Sequence, residues 1–230
     1  MPLDIQRIRA ICFDVDGTLS DTDDQYVQRL VQILKPLDFL FLNNDPLHFA
    51  RKMVMATESP GNFLYGLPDR FGFDEHIASV GETIYQLGLG KTKKPFLLIP
   101  GVRELLQSLK PLCPMSVVSA RGERSTTMFL NQFNLTPFFV SIATAQTCRY
   151  TKPYPDPILW AAEKMRVSPH ECLMVGDTTV DIKAAMAAGA QSIGVLCGFG
   201  EREELVKAGA DLILEGTHEL LPALNFESQR

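Results

Sequence analysis

Short apolar runs flanked by polar residues or glycine recur along the chain at residues 8–13, 115–118, 139–143, 172–175, 192–196 and 211–214. Their length and flanks predict buried strands rather than helices. Between them, apolar residues recur at helical spacing over 102–109, 123–133, 156–165, 180–188 and 201–208, and Gly189 supplies a stop signal after the alanine-rich fourth stretch. Strand and helix in alternation predict an α/β fold, a parallel sheet covered by helices on both faces.

The alternation fails between the first strand and the second. Residues 22–95 offer no convincing strand; apolar spacing there predicts helices around 26–34, 47–55 and 69–87, followed by a polar return linker at 90–95. We read the chain as a core of residues 1–20 and 96–230 with an all-helical insertion of residues 21–95 lying over the sheet edge. No internal repeat or low-complexity tract is visible.

Composition narrows the partners. Hydrophobic residues make up 46% of the 230 residues and charged residues 21%, as in an ordinary globular chain. The formal net charge of -5 opposes a broad nucleic-acid or acidic-membrane surface. No apolar run reaches the length of a membrane span, and the opening Met1-Pro2-Leu3-Asp4 lacks the layout of a signal peptide. Cys12, Cys113, Cys148, Cys172 and Cys197 are dispersed with no Cys-x-x-Cys pair, which predicts reduced thiols and a cytoplasmic setting. The Asn134-Leu135-Thr136 sequon therefore carries no weight.

Candidate chemistry collects at the carboxyl ends of the predicted strands, where open parallel sheets bind ligands. The first strand ends in Asp14 and Asp16, the second in Ser119, and the fourth in Gly176-Asp177-Thr178-Thr179-Val180-Asp181, while Lys152 follows the third after a loop. Asp14, Asp177 and the carbonyl of Asp16 offer the hard oxygens that Mg²⁺ prefers, with positions left for water and a phosphate. The ion would let Asp14 approach an anionic phosphate and form an aspartyl-phosphate, splitting one hard step into two. Asp16, two residues on, would share the face of Asp14 on an extended chain and could act as acid and then base. Ser119 would donate to phosphoryl oxygens and Lys152 would offset transition-state charge.

The segments Asp14-Val15-Asp16-Gly17-Thr18-Leu19, Ser119, Lys152-Pro153-Tyr154-Pro155-Asp156-Pro157 and Gly176-Asp177-Thr178-Thr179-Val180-Asp181 resemble the four motifs of the haloacid dehalogenase superfamily, in the phosphoglycolate-phosphatase-like branch. That resemblance implies a Rossmann-like core with a mobile helical cap inserted after the first strand, hinged near residues 20–23 and 93–95. It implies Asp14 as nucleophile, Asp16 as acid/base, Ser119 and Lys152 as further catalytic residues, Asp14, Asp16 and Asp177 as Mg²⁺ ligands, and Asp181 as a supporting acid. The substrate it implies is a small phosphorylated metabolite such as phosphoglycolate or a sugar phosphate. One position departs: Ala120 follows Ser119, where the family usually has Asn. Gly17, Thr18, Ala120 and Arg121 are the further candidates for contact with substrate or phosphate, Arg121 by offering charge where the amide is missing.

Other readings stand beside this one. A phosphomutase of the same superfamily would use the same residues, and a non-catalytic protein keeping the fold is a different class. Asp16 opposes C–halogen hydrolysis, because the branch that performs it lacks the second acid. In isolation, Asp14 and Asp16 could be turn carboxylates, and Asp177 and Asp181 helix caps. His48, His76, His170 and His218 form no metal-ligand spacing, Met53 and Met55 read as packing, and Arg51 and Lys52 as a solvated helix face.

Overall fold

The computed structural model describes residues 3–21, 31–32, 34–35 and 96–224. The predicted insertion lies almost wholly outside them, with Arg51, Lys52, Met53, Met55, His48, His76 and the linker at 90–95.

Six strands form one parallel sheet: β1 (Ala10–Phe13), β2 (Met115–Val118), β3 (Ser141–Ala143), β4 (Cys172–Gly176), β5 (Gln191–Val195) and β6 (Leu212–Leu214). Their spatial order is β3-β2-β1-β4-β5-β6. The helices are α1 (Val102–Leu109), α2 (Glu123–Gln132), α3 (Asp156–Met165), α4 (Thr179–Ala188), α5 (Arg202–Ala208) and α6 (Leu220–Leu224).

Strand alternation divides the core in two. Ile11 and Phe13 of β1, with Leu173 and Val175 of β4, pack under α1, α2 and α6. Ala10 and Cys12, with Cys172 and Met174, pack under α3 and α4. Because both faces are covered, β1 reads as a continuous apolar run although its side chains alternate. In α1, Val102, Leu105, Leu106 and Leu109 are buried at the three- and four-residue spacing that aligns one helix face. α4 starts on a reciprocal capping box between Thr178 and Asp181 and stops, as its sequence predicts, at Gly189.

β1, β3 and β6 start later than expected, at Ala10, Ser141 and Leu212. Ile5–Arg7 and Thr136–Phe138 each form a 3-10 turn, after which Ile8 and Phe139 pack against the core, while Val140 is exposed and its N–H donates to Met115 O at 2.7 Å. α6 was not anticipated: it is only five residues long, and Leu220 and Leu224 seal the first core cluster. No helix among the described residues is long and apolar enough to cross a membrane.

Residues 19–21 and 97–99, which flank the predicted insertion, pair with each other. The Asp21 N–H donates to Leu97 O at 3.0 Å and the Ile99 N–H to Leu19 O at 3.0 Å, around an antiparallel bridge of Ser20 with Leu98.

Candidate active site

β1 and β4 sit side by side at the centre, and the strand order runs outward from them in opposite directions. The crevice beyond their carboxyl ends is where such a sheet binds ligands. Asp14 follows β1 directly, and its N–H extends the ladder by donating to Val175 O at 2.9 Å. Asp177 follows β4 and is fully buried.

Lys152 arrives from the loop 144–155 between β3 and α3 and is 1% exposed, which for a lysine demands charged partners. Its Nζ lies 2.8 Å from Asp14 Oδ1 and donates to Asp181 Oδ1 at 2.5 Å. The other Asp181 oxygen, Oδ2, accepts the Thr178 N–H at 3.0 Å and its hydroxyl at 2.6 Å. Asp181 thus caps α4 and aims Lys152 with the same carboxylate.

The chain bends after Asp14 instead of running extended, so simple alternation does not place Asp16. A turn closed by the Gly17 N–H on Ser20 O at 2.9 Å, with Gly17 at φ 66°, brings Asp16 back toward the crevice. There Asp16 is held by the fork of Arg121: Nε donates to Oδ2 at 2.9 Å, and Nη2 pairs with Oδ1. The guanidinium also lies over the Phe96 ring, 5.2 Å from its centroid. Ser119 is buried at the end of β2, and its hydroxyl accepts the Arg121 N–H at 3.1 Å. Ala120 is half-buried between them and offers only backbone polar groups. Thr18 is fully buried, its carbonyl accepting the Thr217 hydroxyl at 2.6 Å.

Burial sets the electrostatics. It pushes the Asp14 carboxyl up to about 7, against the pull of Lys152 and with help from Asp181 and Asp16. Asp177 is raised well above the carboxylate range by burial and then by Asp181 and Asp14. Asp16 is raised by burial, with Arg121 opposing. Burial alone would lower the Lys152 ammonium, but Asp14 and Asp181 more than offset it and its pKa is raised.

Asp14, Asp177 and Asp181 outnumber the single ammonium of Lys152 in this buried cluster, while Asp16 and Arg121 balance each other. The excess suits a divalent cation. Oxygens of the three cluster aspartates lie within 4.8 Å of one another, and Asp177 Oδ1 is buried with no hydrogen-bond partner among the described residues. With both oxygens of Asp181 engaged, Asp14 and Asp177 are the carboxylates fitted to hold the ion, and all-oxygen donors suit Mg²⁺.

A metal titration follows. Protons compete for the raised carboxylates, so Mg²⁺ at about a hundred times its Kd should raise the Tm by roughly 5–10 °C at pH 8, and by much less at pH 5. Thermal melts against metal concentration at the two pH values check this.

One contributor was absent from the sequence reading. Beyond β5, the Phe199 N–H donates to Asp177 Oδ2 at 2.7 Å. The available signal was a Gly198-Phe199-Gly200 run just after a strand's carboxyl end, on the rim already carrying the acids.

The chain is similar to known hydrolases over most of its length. A model of the haloacid dehalogenase-like hydrolases matches residues 11–195. A phosphoglycolate phosphatase of Escherichia coli is 32% identical over 238 residues, spanning 96% of this chain and 94% of its own. A pyrophosphatase of Bacillus pumilus is 27% identical over 219 residues, spanning 93% and 95%. Among solved structures, a hydrolase from Pseudomonas syringae superposes with a TM-score of 0.65 at 28% identity, covering 94% of this chain and 97% of that one.

Proposed function

Because the chain belongs to the haloacid dehalogenase-like hydrolase family, we propose that it is a Mg²⁺-dependent phosphohydrolase of small phosphate monoesters with Asp14 as nucleophile. The observation that carries the reading is Asp14 Oδ1 held 2.8 Å from a buried lysine, in one cluster with an Asp177 oxygen that has no other described partner.

Asp14 attacks phosphorus, the bond to the leaving oxygen breaks, and Asp16 gives that oxygen its proton. Water then attacks the phosphorus of the aspartyl-phosphate, Asp16 takes the water's proton, and inorganic phosphate and the Asp14 carboxylate are regenerated. Lys152 offsets the charge gathered on the phosphoryl oxygens, Asp181 keeps its ammonium aimed, and the Ser119 hydroxyl donates to a phosphoryl oxygen. Asp14, Asp177 and the Asp16 carbonyl would hold Mg²⁺, which would supply the charge neutralisation that lets carboxylate and phosphate meet.

Residues 21–95 form the cap in this reading and gate the crevice by closing over substrate. The pairing of residues 19–21 with 97–99 supports an excursion that leaves and returns through one neck. The named activities of the Escherichia coli and Bacillus pumilus relatives favour phosphoglycolate and pyrophosphate as the first substrates to try. The five cysteines, all free, support a reducing, cytoplasmic setting.

The decisive test is p-nitrophenyl phosphate turnover with and without Mg²⁺, followed by a panel of phosphoglycolate, sugar phosphates, nucleotides and pyrophosphate ranked by kcat/KM. An inert wild type, or activity untouched by Mg²⁺, defeats the proposal.

Arg121 yields a narrower prediction. Its charge opposes the burial that raises Asp16, so Arg121→Ala should let that carboxyl rise further; because Asp16 must carry the proton it gives the leaving oxygen, the alkaline limb of the kcat/KM profile should move to higher pH. We expect kcat/KM to fall by about tenfold or more. Arg121→Lys should retain the limb but not the full rate, because an ammonium cannot reproduce the fork.

A further inference from the structure

We propose that the loop 196–200 after β5 is a working part of the metal site: it clamps one oxygen of Asp177 so that the other is left for the cation. The inference rests on the phosphohydrolase reading and concerns residues that lie outside its four motifs.

Asp177 Oδ2 is enclosed by two loops. From the β5 side, the Phe199 N–H donates to it at 2.7 Å. A Cβ on Gly198 would fall 2.1 Å from the same oxygen, and one on Gly200 would fall 1.9 Å from the Asp177 carbonyl oxygen. From the β1 side, a Cβ on Gly17 would come within 2.2 Å of Asp177 Oδ2. Only glycine lets the two backbones close on this carboxylate, and that closure leaves its side chain no room to rotate. The oxygen facing away from the clamp, Oδ1, is the one buried with no hydrogen-bond partner among the described residues.

The clamp is itself tethered to the nucleophile's loop. Cys197 Sγ donates to Gly17 O at 3.3 Å and lies 3.5 Å from Thr217 Oγ1, whose proton goes to Thr18 O at 2.6 Å. Phe199 anchors the loop by burying its ring. Both metal-facing carboxylates, Asp14 and Asp177, are therefore registered against each other through 196–200. Groups that orient a ligand in this way typically govern 10- to 100-fold of metal affinity.

The test is direct metal binding to the purified, metal-stripped protein, using Mn²⁺ with electron paramagnetic resonance and Mg²⁺ with calorimetry. Gly198→Ala should weaken both by about 10- to 100-fold while circular dichroism in EDTA still shows the folded chain. Leu109→Ala, a cavity in the core away from the crevice, should lower the Tm and leave the affinity unchanged. If Gly198→Ala does not fold, Cys197→Ala decides, because it loosens the tether without crowding Asp177; a several-fold loss of affinity is expected. A folded Gly198→Ala with wild-type affinity, or Cys197→Ala with wild-type affinity where the first variant fails, overturns the clamp alone. A wild type that binds neither ion overturns the metal-dependent reading and the clamp with it.

Discussion

Asp14→Asn should abolish turnover, by at least about 10⁴-fold in kcat, and at the same time make the metal-free protein more stable at pH 8. The catalytic half follows from chemistry: an amide is not the nucleophile that a carboxylate is. The stability half follows from the sign of the pKa shift. The folded protein holds a proton on Asp14 up to about pH 7, whereas the unfolded chain releases it near 3.8. The native state therefore loses stability as the pH rises through that window, and above it carries the full cost of a buried charge. Asparagine is neutral and keeps an oxygen to accept from Lys152, which retains Asp181 at 2.5 Å. The ideal three-unit shift is worth about 4 kcal/mol, most of it cancelled by the weakened Lys152 contact and by relaxation. A gain of about 2–4 °C in Tm in EDTA at pH 8, fading toward pH 4, is the expected outcome. Paired melts and single-turnover assays check it. A large stability loss would mean that Asp14 is a structural anchor.

Lys152→Met should move both quantities downward. The ammonium is the counter-charge of Asp14 and Asp181, and removing it leaves buried carboxylates facing each other. Losing one partner of a buried ion pair costs about 3–5 kcal/mol, or roughly 10 °C in a chain of this size. The loss should be small near pH 5, where Asp14 takes up its proton, and grow as the pH rises through about 7. Turnover should fall by about 10²–10³-fold, as when a preorganised donor to developing charge is removed. Mg²⁺ should restore part of the Tm and little of the rate. Melts from pH 5 to 9 with and without the ion separate the two effects, and a rate close to wild type would remove Lys152 from the reaction.

The sheet was legible because parallel strands covered on both faces must be apolar throughout, and β1, β2 and β4 stand out for that reason. Asp14 and Asp177 were legible because they sit directly after β1 and β4, so their positions follow from the ladder. Asp16 was identified by its type, but its placement was not: the turn at Gly17 replaces the extended chain that alternation assumes. The engagement of Arg121 with Asp16 joins residues 105 positions apart, and no local pattern reports such a pair. Phe199 was invisible for another reason: it acts through its backbone N–H, which every residue except proline possesses. α6 is too short for periodicity to reveal.

The neck where Ser20 meets Leu98 has a meaning for how such chains diversify. Two backbone segments already hydrogen-bonded to each other form a ready-made closed joint, so whatever is spliced between them need only begin and end side by side. A graft of the corresponding segment from a relative of different substrate preference should fold on this core, carrying its own preference while leaving Asp14, Lys152 and Asp177 in register. With residues 21–95 as the proposed cap, selection can rewrite what enters the crevice without touching what happens there.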